Sequence, residues 1–209
     1  PPAHTARYAE VTGDGRIELV AREWRVDGGL LLESRSSNCD RHLVRVDHRL
    51  DTLAWRFEGT TPPASIEAVR RDDQVVVAGH RADETVGGRV GLADGRWIQS
   101  IERSLRDFVL AADPRERTLF QVVQPDTLSA RTLQARLLET EYRGIAGTRT
   151  EVRRVRISLP GIGALVWRSD YWFRASDGLF VESRVTRGPP GTPETVVTLI
   201  EDSGPAPRR

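Results

Sequence analysis

The chain has 209 residues, 38% of them hydrophobic and 29% charged, with a formal net charge of +1. That apolar content is enough for a packed core and excludes wholesale disorder, and the length fits one domain or two small ones. No apolar run reaches the roughly 18 residues of a membrane helix, and the single cysteine, Cys39, excludes an internal disulfide or a cysteine-rich zinc site.

All 31 basic residues are arginine, and lysine and methionine are absent. Substitution this complete reads as the codon bias of a GC-rich genome rather than arginine-specific chemistry, although the two side chains differ physically. The arginines are interleaved with 30 acidic residues, so the basic stripe that nucleic acid would require is missing. The one dense cluster, Arg153, Arg154 and Arg156, reads as the solvated face of a strand. The chain begins Pro1-Pro2 with no charged-then-apolar leader. Either a removed leader or a trimmed sequence accounts for that. A lone thiol risks little mispairing and is compatible with an exported protein.

Period-two alternation bounded by turn residues dominates the chain. Ile17, Leu19 and Ala21 alternate with Glu18, Val20 and Arg22, and Leu30–Ser36 resumes the pattern after Asp27-Gly28-Gly29. Leu53, Trp55 and Phe57 share one face of the next strand. Ile66 and Ala68, then Val75 and Val77, form two short strands around Arg71-Asp72-Asp73, and Gly87–Gly91 reads as a flexible connection. At Asp94-Gly95 the period changes. Trp97, Ile98, Ile101, Leu105, Phe108 and Val109 carry helical spacing, with Asp94 as N-cap and Asp113-Pro114 as the stop. One helix is therefore expected over about 95–112. Strands resume at Thr118–Gln124, turn at Pro125-Asp126-Thr127, and continue as two long strands, Arg131–Tyr142 and Thr148–Leu159. Strands that long must twist and coil, which favours a half-barrel. Val166–Arg174 and Leu179–Arg187 pair across Ala175-Ser176-Asp177-Gly178, Gly188–Pro193 is a stiff connection, and Glu194–Glu201 is the last strand. The expected fold class is mainly β (α+β): a strongly curved antiparallel sheet or half-barrel of about a dozen strands wrapping one α-helix, over residues 1–202, with 203–209 a flexible tail.

The C-terminal part carries a string of motifs: Leu159-Pro160-Gly161, Trp167, Asp170-Tyr171-Trp172-Phe173, Asp177-Gly178-Leu179-Phe180 and Gly188-Pro189-Pro190-Gly191-Thr192-Pro193. Ser104–Phe108 and Phe120–Pro125 extend it, so that Arg103–Ile200, about half the chain, resembles a group of bacterial exported proteins of unknown function. Their structural kin are half-barrels similar to the Lol-type lipoprotein carriers. The resemblance implies a half-barrel and an apolar ligand, and it carries no catalytic residue.

Other chemistry is weakly signalled. Cys39 with His42 has the residue types of a nucleophile and base, but both fall in or beside a turn. His42, His48 and His80 match no compact metal-ligand spacing. Asp72-Asp73 sits where a hairpin turn favours aspartate, and Asp40, Asp47 and Asp51 show no cleft-facing pair. Gly87–Gly91 lacks the Gly-Lys-Ser/Thr of a phosphate loop, and no GxSxG elbow exists. No catalytic residue, metal site or cofactor is assigned.

The aromatic set is the strongest functional pointer. Trp55 and Phe57 share a strand face, as do Trp167, Tyr171 and Phe173, while Trp172 falls on the opposite face and is expected outward. The first expectation is a non-catalytic extracytoplasmic, periplasmic carrier for a lipid, acyl chain or other apolar ligand. Its cavity would be lined by Trp55, Phe57, Trp167, Tyr171 and Phe173, with Ile101, Leu105 and Phe108 as a movable lid. The alternatives are a cell-envelope interaction or scaffold module with a packed core and an exposed patch near Trp172, binding an envelope protein, and an enzyme in which Cys39, His42 or His80 converge on the cavity. Nucleic acid and a helical membrane span are not expected.

Overall fold

In a computed structural model, residues 1–93, 95–111, 113, 116–124, 127, 129–161, 167–186 and 192–203 are described. Asp94, Pro114, positions 125–126, position 166, most of the Gly188–Pro193 connection and the tail from 204 lie outside them.

Hairpin follows hairpin because each alternating run ends at a residue that accepts a reversed backbone. β1 (His4–Thr12), β2 (Gly15–Val26), β3 (Gly29–Ser36), β4 (Arg41–Asp47), β5 (Thr52–Thr60), β6 (Pro63–Arg71), β7 (Gln74–Arg81) and β8 (Glu84–Gly91) form one meander. Gly29 shows why the sequence signal was reliable: its φ is +158°, and a Cβ there would stand 1.9 Å from the carbonyl oxygen of Val46 on β4. A second meander comprises β9 (Arg96–Trp97), β10 (Arg117–Gln124), β11 (Ser129–Ile145), β12 (Thr148–Ser158), β13 (Arg168–Arg174), β14 (Phe180–Thr186) and β15 (Glu194–Asp202). The first and last strands pair at the middle, giving one large, curved, unclosed sheet ordered β8-β7-β6-β5-β4-β3-β2-β1-β15-β14-β13-β12-β11-β10-β9. All neighbours are antiparallel except β9 and β10, which run parallel at Phe120–Arg96 and Gln121–Trp97.

The inner face carries two apolar cores. One lies under β3–β8 and is built from Val44, Val46, Trp55, Ile66, Ala68, Val75, Val77 and Val90, with Trp97 and Val123. The other lies under β10–β15 and β1 and is built from Tyr8, Phe120, Leu137, Val155, Ile157, Tyr171, Phe173 and Phe180 with Ile98, Leu105 and Val109. The curved sheet and its helical filling agree with the sequence reading.

Five local expectations change. The helix is shorter and split: α1 (Ile101–Ser104) and α2 (Arg106–Ala111) meet at Leu105. Trp97 belongs to β9, because the Ile98 N–H donates to the Gln121 carbonyl at 2.9 Å and fixes the segment as an edge of the sheet. Gly87–Gly91 is part of strand β8, paired with β7 along its length. The arginine trio is not a free solvated face: Arg154 and Arg156 both grip Asp170, at 2.6 and 2.8 Å, and Arg153 donates to the Val109 carbonyl at the end of α2. Trp172 does face away from Tyr171 and Phe173, but it is buried rather than exposed. The guanidinium of Arg143 lies 4.3 Å over its ring, Arg154 and Arg184 flank it, and its Nε1 donates to Glu141. Long arginine stems cover an outward ring while their charged heads stay paired in the surface network.

Candidate ligand-binding face

Alternation on β13 turns Tyr171 and Phe173 to the inner face, where the ring of Phe180 on β14 lies 6.0 and 5.9 Å from theirs. Tyr8 of β1 joins them at 5.3 Å from Phe180, and its hydroxyl donates to the Phe180 carbonyl at 3.2 Å. Burial pushes that hydroxyl up to about 12, so it remains a neutral donor. These four rings make an aromatic floor on β13, β14 and β1, with β15 lying between the last two in the sheet. Leu105 and Val109 are fully buried in the same core, and Ile101, Phe108, Leu159 and Trp167 pack at its margin, half-buried.

The helix pair is held to this floor by few polar ties. Arg106 Nε donates to the Asp177 carbonyl at 2.7 Å, Arg153 donates to the Val109 carbonyl, and Arg103 Nη1 donates to His4 Nδ1 at 3.2 Å. Gly178, with φ +68°, lets the β13–β14 turn press against α2: a Cβ there would stand 2.7 Å from the Arg106 side chain. The Asp177 carboxylate binds Arg174 and caps the Leu179 N–H. The motif residues Asp170, Trp172, Asp177 and Gly178 are thus engaged in building the scaffold.

Trp55 and Phe57 stand elsewhere. They belong to the first core, their rings 6.3 Å apart, with the His42 ring 6.0 Å from Trp55 and 4.8 Å from Phe57. Trp55 Nε1 donates to His42 Nδ1 at 3.2 Å, which places any proton of the neutral ring on Nε2. Burial lowers the His42 pKa against a smaller opposing effect of Asp40, so the ring is neutral near pH 7. The eight expected wall residues therefore divide six and two between separate cores. Tyr8 and Phe180 were not singled out from sequence, and Val109 was read only as part of the helical stripe: Phe180 stood in a motif read only as a family mark, and Tyr8 alternates with Ala6 in a strand that was not recognised.

Cys39 sits exposed in the β3–β4 turn at φ 71°, and His48 and His80 are exposed. Among the described residues no hydrogen bond links Cys39 to His42 or His80, and no group of three His, Cys, Asp or Glu could hold a metal ion. A polar surface depression of about 440 Å³ is lined by Asp51, Arg70, Asp72, Asp73, Leu92, Gly95 and Arg96, with Arg96 paired to Asp51. It borders the first core and shares no lining residue with the aromatic floor.

Fold and face together describe a β-barrel-like architecture in which an unclosed sheet curves around its own filling. A similar solved structure is the β-barrel-like protein of a domain of unknown function, DUF1849, from Brucella abortus. It matches with a TM-score of 0.64 and 11% identity over 96% of this chain and 97% of that one. The hypothetical lipoprotein YmcC from Escherichia coli K12 also matches, with a TM-score of 0.46 and 14% identity over 100% of this chain and 87% of that one. No family model and no curated protein matches the sequence. At such identities the likeness is one of fold.

Proposed function

We propose that this chain is a non-catalytic, extracytoplasmic binding protein that accommodates a lipid, acyl chain or other apolar ligand between the helix pair and the aromatic floor. The observation that carries the reading is the construction of the second core. Tyr8, Tyr171, Phe173 and Phe180 form a floor on strands, and the apolar groups that cover it come largely from two short helices. Binding is then an exchange: α1 and α2 lift, Leu105 and Val109 leave the floor, and ligand methylenes replace them. Each buried methylene contributes on the order of 0.8 kcal/mol, so a chain of several carbons offsets the loss of two aliphatic side chains. Trp167 at the margin and the fixed β13–β14 turn border the opening. The sequence resemblance of Arg103–Ile200 to bacterial exported proteins supports the same reading and the extracytoplasmic location.

A second reading, an envelope interaction module with a permanently packed core, is favoured by one observation: Leu105, Val109 and Phe173 are wholly buried with the helices seated. Native mass spectrometry of gently purified protein, followed by organic extraction and challenge with fatty acids and phospholipids, separates the two. An adduct that leaves with solvent, or uptake on challenge, is the result expected of a carrier. A clean mass with no uptake removes the carrier reading and leaves the packed module.

A further inference from the structure

We propose that His4 is a pH-operated catch on the helix pair: its neutral ring holds Arg103 of α1 against β1, and protonation of the ring releases it. The ring lies between two partners. Its Nδ1 is 3.2 Å from Arg103 Nη1 and its Nε2 is 2.6 Å from the Asp202 carboxylate on β15. A guanidinium has only donors, so Nδ1 must present its lone pair and the single proton must sit on Nε2, donated to Asp202. The two contacts fit the neutral ring in the tautomer that carries its proton on Nε2.

A second proton can go only to Nδ1. There it replaces an accepted hydrogen bond by two N–H groups facing each other on two cations. The effect is directional, because the contact to Asp202 gains charge while the contact to Arg103 is lost. The other charged and titratable groups around the ring fit this direction. Glu23 of β2 is directly opposite His4 in register and 3.9 Å from Arg103, Arg174 of β13 shares Asp202 at 2.6 Å, Tyr8 of β1 is a neutral phenol, and Glu102 stands beside Arg103 on α1. The carboxylates of Asp202 and Glu23 make a charged His4 tenable inside the folded sheet. Among the described residues Arg103 is left with the loose Glu23 contact at 3.9 Å, and its Nη2 is buried without a hydrogen-bond partner. The consequence falls on the helix and spares the β1–β15 pairing.

The inference rests on the helix pair being a movable cover, yet it is tested apart from ligand binding. Amide hydrogen exchange is followed by mass spectrometry at about pH 7.5 and about pH 5.5, either side of the ordinary histidine value, with rates corrected for intrinsic chemistry. In the wild type, amides 101–111 are expected to lose protection by about tenfold at the lower pH, while β1 and β15 keep theirs. His4→Gln can accept from Arg103 and donate to Asp202 without titrating, so its helix should stay protected at both pH values. His4→Lys carries a permanent charge and should leave the helix exposed at both. Equal protection of 101–111 at the two pH values in the wild type overturns the proposal. So does an identical pH response in His4→Gln, or a loss spread evenly over all strands, which is global acid unfolding. A protein that takes up no lipid yet shows the expected exchange pattern would lose the carrier reading and keep the switch; uptake without the pattern does the reverse.

Discussion

The two halves of the inner face are sealed in different ways. The core under β3–β8 is mostly aliphatic, with Trp55 and Phe57 among its side chains, and Trp97, a residue of the sheet itself, closes it. That seal is stitched down on every side. Trp97 Nε1 donates to Gln99 Oε1 at 2.9 Å, the Gln99 N–H donates to Thr52 Oγ1 at 3.0 Å, and Gln99 exchanges two hydrogen bonds with the Val123 backbone. Arg96 adds an ion pair to Asp51 in the β4–β5 turn. The core under β10–β15 is rich in aromatic rings, and its seal is a split helix tied to the sheet through Arg103, Arg106 and Arg153. One core is closed by a residue of the sheet; the other is closed by an element outside the sheet, the one the proposed function takes to move.

The contrast predicts an order of effects. Trp97→Ala should be the most damaging change, costing about 3–5 kcal/mol of global stability in chemical denaturation, because a large ring is removed from a site that cannot collapse. Leu105→Asp should act locally: the far-ultraviolet signature of the sheet persists, limited proteolysis cuts within 101–111, and apolar-probe uptake is lost. If Leu105→Asp melts the strands as thoroughly as Trp97→Ala, the helices are a fixed plug and the two seals are equivalent.

The outer face sharpens the comparison. Burial pushes the Asp170 carboxyl upward, but hydrogen bonds from Arg156 and Arg154 outweigh it and leave its pKa below the usual range; Glu33 on β3 is lowered in the same way by Arg22 and Arg41. A depressed carboxylate contributes stability above its unfolded value that disappears as pH falls through the folded one. Stability should therefore decline below roughly pH 4.5 in both halves. Asp170→Asn should cost about 1–3 kcal/mol at pH 7 and flatten the acid decline attributable to the second half. At the small end, Cys39→Ser should change stability by less than about 0.5 kcal/mol, as expected for an exposed turn thiol outside any network.

Most strands and several of their boundaries were legible because alternation and turn residues agree, although β1 and β4 were not recognised. Thr148–Leu159 from sequence is Thr148–Ser158 in the structure, and Glu194–Glu201 is Glu194–Asp202. The misses have physical causes. β9 has two residues, too few to show a period, so Trp97 and Ile98 fell in with the helical spacing that follows. β8 is rich in glycine, which carries no hydrophobic pattern, and its pairing is imposed by β7. Trp172 could be assigned a face but not an environment, since its cover comes from arginines on β11, β12 and β14 that meet only after the sheet forms. The aromatic wall was legible as residue types on strand faces. Its division between two cores was not, because that depends on where the sheet curves, and no local spacing records it.

The pairing of the first strand with the last has a kinetic consequence. His4 and Asp202 meet across 198 positions, whereas every other antiparallel neighbour is joined by a single hairpin or one connecting segment. Each meander can zip outward from its own turns on the fast timescale of local contacts, while the β1–β15 seam must wait for two preformed halves to find each other. The slow step in refolding should therefore be a docking event, with the transition state poised at the centre of the sheet and its margins already in register.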